Sequence, residues 1–214
     1  MLRLHDFGPS ANCYKVRLLL AQLGLSYERV PVDIFAGDSQ TESYRAKNPA
    51  GRTPVLELEN GETLAESGAI LLYLAEETDF LPVERFGRAR AAQWLFFEQN
   101  LLEPNVGTAR FWLLTGRAEG NEAVLEKAQT MGRAALGTLD SHLGRNEFLL
   151  GERYSVADIG LYGYTHVARE SGIDTDRFDA VREWLGRVQA TPGFMNDLEA
   201  YPANAGPGGG SAHG

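Results

Sequence analysis

The sequence predicts two unlike halves, an α/β domain over about the first eighty residues and an all-α bundle after it. Three observations carry this. Strand-like runs and helical repeats alternate as far as Ala75. A proline-bearing break, Phe80-Leu81-Pro82, follows. Beyond it only apolar repeats of helical spacing remain. The boundaries read 1–79 and 86–200, with a Gly-, Ala- and Pro-rich end at 202–214 that holds no core-forming residues and is expected to be a flexible tail.

Each element has its own signal. Leu2 to Phe7 alternates as Leu-Arg-Leu-His and reads as a strand. Gly8-Pro9-Ser10 turns the chain. Ser10 or Asn12 can cap a helix over Tyr14 to Leu23, where Val16, Leu19, Leu20 and Leu23 share a face and Gly24 ends it. Tyr27 to Val32 is a second strand, and the helix between is long enough to cross over to a parallel partner. Asp33 to Asn48 is polar, with a short helical stretch around Glu42 to Ala46. Pro54 to Leu58 is a third strand. Asn60-Gly61 is a strong hairpin signal, and Glu62 to Ala65 returns antiparallel. Glu66-Ser67-Gly68 opens a helix with Ile70, Leu71, Leu74 and Ala75 on one face. In the second half, helical patterns cover Ala89–Thr115, with a bend expected at Pro104, then Glu122–Leu143, Ser155–Ser171 and Phe178–Ala190. Ser155-x-x-Asp158 is a capping box, which assigns Asp158 to folding rather than chemistry.

Composition narrows the function. Hydrophobic content of 43% and charged content of 23% are those of an ordinary globular protein. The net charge of −9 argues against nucleic acid or an anionic membrane as partner, though not against a small anion held in a local positive field. No basic-then-apolar start and no long apolar run are present, so a cytoplasmic protein is expected. A single cysteine, Cys13, excludes an internal disulfide. His5, His142, His166 and His213 have no metal-ligand spacing, so no metal is expected.

Three short segments carry candidate chemistry. Ser10-Ala11-Asn12-Cys13 lies between a strand and a helix, where free amides and the helix dipole favour an anion and lower the pKa of a thiol. The same residues also serve as plain caps. Thr53-Pro54-Val55 puts a proline at a strand start; a cis bond there would turn the Val55 backbone outward to pair with an extended peptide, whereas a trans proline would only begin the strand. Glu66-Ser67 at a helix start can take an ammonium and a carboxylate together, the two ends of an amino acid, or can act as an ordinary helix start.

With these residues in place, the chain resembles the soluble glutathione S-transferase superfamily over about residues 1–200. The matching pieces are Ser10-x-Asn12-x-x-Lys15-Val16, Thr53-Pro54-Val55, Glu66-Ser67, and Gly151 to Asp158. The resemblance implies a thioredoxin-like domain followed by a helical one, with glutathione as co-substrate. The γ-glutamyl end would meet Glu66 and Ser67, the cysteinyl backbone Val55 beside a cis Pro54, and the sulfur Ser10 and Asn12. Arg52, Gln40 and Thr53 would complete the glutathione site. A second, apolar pocket would take a small hydrophobic electrophile or a disulfide, with Asn105, Arg110 and Trp112 as candidates. A homodimer is implied as well.

Ser10-x-x-Cys13 falls on the positions of a redox Cys-x-x-Cys, with Ser at the attacking one. This departs from members that form a mixed disulfide through their own cysteine. It is most similar to bacterial members that activate glutathione with Ser or Thr plus Asn. The expected activity is therefore transfer of the glutathione thiolate to an electrophilic carbon or a disulfide. Glutathione-dependent disulfide reduction, peroxidase activity, isomerisation and non-catalytic ligand binding stay open. Cys13 itself fits a small buried apolar residue or an acidic thiol.

Overall fold

A computed structural model describes residues 1–207. The strand-bearing part runs β1 (Leu2–Asp6), α1 (Ala11–Gln22), β2 (Tyr27–Pro31), α2 (Glu42–Arg45), β3 (Val55–Glu57), β4 (Thr63–Ala65) and α3 (Ser67–Leu74). The sheet order is β2-β1-β3-β4. β1 and β2 are parallel, joined through α1 as a crossover must be, and β3 and β4 are antiparallel neighbours of β1 and of each other. The helical part contains α4 (Arg85–Phe97), α5 (Thr108–Leu114), α6 (Glu122–Leu143), α7 (Val156–Thr165) and α8 (Asp179–Gln189). This is the thioredoxin-like domain with an appended all-α part that the patterning predicts.

α1 is the centre of the molecule. Ala11 and the run from Cys13 to Leu20 are buried, including Lys15 and Arg17. A helix apolar on every side except at two charged residues belongs between layers, and α1 packs against α3 on one side and α7 on the other. Gly163 makes the second contact close. A Cβ there would stand 2.6 Å from the Lys15 side chain and 3.2 Å from the Ala11 carbonyl.

Two expectations are corrected. The long helix over 89–115 begins earlier, at Arg85, and widens into a π-helical stretch, Glu98–Gly107, between α4 and α5. Pro104 lies inside that stretch, where the looser turn accommodates a residue with no N–H to donate. The helix over 155–171 ends at Thr165, and Ala168–Ser171 tightens into a 3₁₀ turn closed by Gly172 at φ 74°. Of the tail expected from residue 202, the described part is mostly exposed and is anchored at Ala205. Ala205 is 2% exposed against Phe7, Cys13 and Phe35, and Arg117 donates to the carbonyls of Ala205 and Gly206. Residues 208–214 of that tail lie outside the described residues.

The chain end forms a strap over the start of the sheet. Tyr14 donates to the Met195 carbonyl at 2.8 Å, Arg17 pairs with Asp197 at 2.9 Å, and the Glu199 amide donates to the Gly8 carbonyl at 3.4 Å. Arg29 joins Asp6 at 2.6 Å to Glu199 at 2.8 Å. No helix among the described residues is long and apolar enough to cross a membrane, and none of their His, Cys, Asp and Glu side chains cluster as a metal site.

Candidate active site

Ser10 is the N-cap of α1. Its Oγ accepts from the Cys13 amide at 3.3 Å, so the capping role holds. That leaves the Ala11 and Asn12 amides without a hydrogen bond among the described residues, at the positive end of a twelve-residue helix. The turn before them is pinned: the Ser10 amide donates to Phe7 O at 2.9 Å, and Arg17 reaches Gly8 O at 3.2 Å. Cys13 points inward. It is fully buried, accepts from the Phe7 amide at 3.4 Å, and burial pushes its thiol up to about 12.

Asn12 is a junction. Its Nδ2 donates to Tyr164 Oη at 3.1 Å, and its Oδ1 accepts from Lys15 Nζ at 2.7 Å and Ser67 Oγ at 3.2 Å. Lys15 is paired in turn with Glu98 at 2.8 Å, both side chains buried. Gln99 Nε2 donates to Asn12 Oδ1 at 3.5 Å, so the amide of Asn12 is oriented by four elements, α1, α3, α7 and the π-helical stretch, and its Nδ2 is already engaged by Tyr164. Burial raises the Tyr164 hydroxyl well above its ordinary value and keeps it neutral. Glu103, on the π-helical stretch, is raised by burial, with Lys15, Glu98, Arg52 and Glu66 within electrostatic reach.

The strand site differs from expectation by two residues. The Thr53–Pro54 bond is cis. Val55, however, lies within the sheet, opposite His5 of β1 and Ala65 of β4, so its backbone faces strands and not a groove. Thr53 stands outside the sheet, and its N–H and C=O make no hydrogen bond among the described residues. Its side chain lies close enough to the Cys13 thiol to act on its pKa, near the first turn of α1. An extended ligand can pair with the free backbone of Thr53, whereas Val55 is flanked by a strand on each side.

Ser67 begins α3, is buried, and ties that helix to Asn12. The residue before it, Glu66, is exposed and held at φ 68°, a left-handed conformation that costs a non-glycine residue of order 1 kcal/mol or more. No side chain caps α3. Gln40 donates to the Gly51 carbonyl at 3.1 Å, and its carbonyl accepts from Arg45, so it shapes the loop before Arg52. The Arg52 carbonyl accepts from Asn48 at 2.8 Å and Tyr44 at 3.0 Å, while its side chain is exposed.

Asn105, Arg110 and Trp112 are not brought together. Asn105 donates to the Leu101 carbonyl of its own helix at 2.7 Å and lies near Gly132 of α6. Trp112 lines a surface cavity of about 440 Å3 with Arg117 and Pro207. Arg110 is buried and donates to Pro9 O at 3.2 Å. The apolar group next to Ser10 is instead Phe7, Phe35, Phe111 and Tyr201; Phe35 and Phe111 are parallel at 6.2 Å between ring centres, with the Arg117 guanidinium over both. Phe111 and Trp112 stand out in the sequence as part of an aromatic run, but Phe35 sits in a polar loop and Tyr201 near a Gly/Pro-rich end, where no periodicity marks them.

Residues 4–81 match the model "Glutathione S-transferase, N-terminal domain", and residues 122–187 match "Glutathione S-transferase, C-terminal domain". The chain is 31% identical over 193 residues to the disulfide-bond oxidoreductase YfcG of Escherichia coli, covering 87% of this chain and 89% of that one. It superimposes on a glutathione S-transferase structure from Pseudomonas fluorescens with a TM-score of 0.91 at 45% identity, covering 92% and 99% of the two chains. A glutathione transferase family member from Pseudomonas fluorescens Pf-5, solved with two glutathione bound, gives 0.80 at 30% identity, with 92% of each chain covered.

Proposed function

Because the chain belongs to the glutathione S-transferase family, we propose that it binds glutathione with the sulfur at the start of α1 and uses its thiolate as nucleophile. The carrying observation is the convergence of two helix N-termini, α1 and α3, tied by the 3.2 Å bond between Ser67 and Asn12 with the unpaired backbone of Thr53 beside them. In this reading the uncapped start of α3 receives the γ-glutamyl carboxylate and Glu66 its ammonium group. Thr53 takes the cysteinyl backbone in place of Val55, and Arg52 reaches the glycine carboxylate over a loop that Gln40 shapes. The Ser/Thr-x-Asn type is kept for the pair, with Ser10 donating to the sulfur and Asn12 orienting the site from beneath.

The energetics are sufficient. An ordinary thiol has a pKa near ~8.5, and lowering it by about two units takes about 2.7 kcal/mol of thiolate stabilisation. A helix N-terminus supplies roughly 0.3–1 kcal/mol and a hydrogen bond to a charged group roughly 1.5–3 kcal/mol. Attack on carbon then forms a C–S bond as the leaving group departs with its electron pair. Attack on a disulfide forms a new S–S bond and releases the other sulfur as thiolate.

The thiolate absorbance of bound glutathione, titrated in wild type, Ser10→Ala and Asn12→Ala, tests the reading. Expected is a rise of at least about one pKa unit in Ser10→Ala; thiol pKa and turnover equal to wild type in both variants would refute it. In the disulfide-directed alternative as in transfer to carbon, the serine and buried Cys13 leave glutathione to supply the reactive thiolate. Rates with an aryl halide and with small mixed disulfides of glutathione separate the two. The homodimer is proposed on the exposed Tyr73, Val83, Phe86 and Phe96 of α3, α4 and the loop between them, and sedimentation tests it.

A further inference from the structure

We propose that Arg110 is a positioning residue for the sulfur end of the site, holding Ser10 through the Pro9 carbonyl and biasing the turn toward an anion. The inference rests on the placement of the thiolate at Ser10 argued above. Arg110 is 4% exposed, and its Nη1 donates to Pro9 O at 3.2 Å and to Tyr201 Oη at 3.4 Å, while Nε donates to Glu170 at 2.6 Å. The guanidinium also lies 5.2 Å from the Tyr201 ring centre. The carbonyl it holds belongs to the residue before Ser10, so the fork fixes the peptide that carries the cap.

The charge is unequally screened on its two sides. Glu170, its carboxylate partner, is 44% exposed and faces water. The Pro9 side is buried, where a charge acts through a lower dielectric and is felt more strongly. A guanidinium carries a delocalised positive charge with donors in a fixed fork. The pair therefore looks nearly neutral from solvent and positive from the turn at Ser10.

The groups packed around Arg110 leave this charge constant. His166, just past the end of α7, is lowered to about 4 by burial, and burial raises Tyr164 of α7 and Tyr201 beyond the strap. Cys13 of α1 is pushed up to about 12. Glu103 and Glu98 of the π-helical stretch lie beyond Tyr164, and Glu103 is raised by burial. Glu170 is the carboxylate in contact with Arg110, and a direct thiolate absorbance reads none of these groups.

The test titrates that absorbance with reduced glutathione bound to wild type, Ser10→Ala, Arg110→Gln, Arg110→Lys and Glu170→Gln. Arg110→Gln is expected to raise the thiol pKa by about one unit, which lowers turnover of an aryl halide about tenfold at acid pH and little at alkaline pH. Arg110→Lys, which keeps charge and loses the fork, is expected to fall between. Glu170→Gln, at a half-exposed position, is expected to move the thiol pKa the opposite way, downward. Should Arg110→Gln fail to fold, the Lys and Glu170 variants carry the test. A merely structural role would shift every variant in one direction or cut turnover equally at all pH, and either result overturns the proposal. A shift in Ser10→Ala with none in the Arg110 and Glu170 variants overturns it too and leaves the proposed function standing. A bound thiol no more acidic than free glutathione in wild type overturns the proposed function first.

Discussion

Ser10 and Cys13 stand three residues apart at one helix start and are held in opposite chemical states. Ser10 borders the free amides of α1; Cys13 faces the core with its thiol raised, so the acidic-thiol reading of that position is set aside. His166 repeats the lesson in a base. It stacks on Tyr162 at 4.7 Å, its Nδ1 lies 2.8 Å from the Tyr162 carbonyl, and burial lowers its pKa to about 4. The unfolded histidine titrates near ~6.5, so between those values the unfolded chain binds the extra proton. The contribution of His166 is therefore complete above about pH 6.5 and is lost as pH falls through 4, to a limit of order 3 kcal/mol. Denaturant unfolding at pH 7 and pH 4.5 is expected to show that loss in wild type and a smaller one in His166→Asn.

At the scale of elements, spacing alone located β1, α1, the β3–β4 hairpin, α3 and α6, because each buries a face whose period can be read from its own residues. What it did not locate depends on partners far along the chain. Asn12 meets Tyr164, 152 positions away, and Arg110 meets Pro9, 101 positions away. The proposed shift from Val55 to Thr53 has the same cause, since β1, from the start of the chain, lies opposite Val55 on the side away from β4. The capping box of α7 was legible because it is local. Asp158 accepts from the Ser155 amide at 3.0 Å and hydroxyl at 2.9 Å, and also from the Leu149 amide at 3.0 Å and Trp184 Nε1 at 2.9 Å. Asp158→Ala strands these buried donors and is expected to cost at least about 3 kcal/mol by denaturant unfolding. The thiol pKa of bound glutathione is expected to stay at the wild-type value wherever the variant is folded.

At the scale of the whole molecule, the strand-bearing and helical parts are joined by charge buried inside the joint. Lys15 of α1 and Glu98 at the head of the π-helical stretch are both almost wholly buried and 2.8 Å apart. Removing one partner leaves the other charged in a low-dielectric interior, which costs about 3–5 kcal/mol, whereas replacing both is far milder. Thermal unfolding of Lys15→Met is expected to show the large loss, and the double variant Lys15→Met with Glu98→Gln to recover most of it. Equal losses in the single and double variants would mean that the pair's packing, not its charge, joins the two parts.

The strap carries this joining into the order of synthesis. Arg17 is fully buried in α1, yet Asp197, one of its two carboxylate partners, lies 180 positions later, and Tyr14 and Arg29 also reach into residues 195–199. A ribosome delivers the start of the sheet long before its ionic partner at position 197. Until then the nascent N-terminal part holds a guanidinium with only Asp6 to neutralise it. The first helix is therefore sealed by residues made some 180 positions after it, and a product released before Met195 lacks the strap.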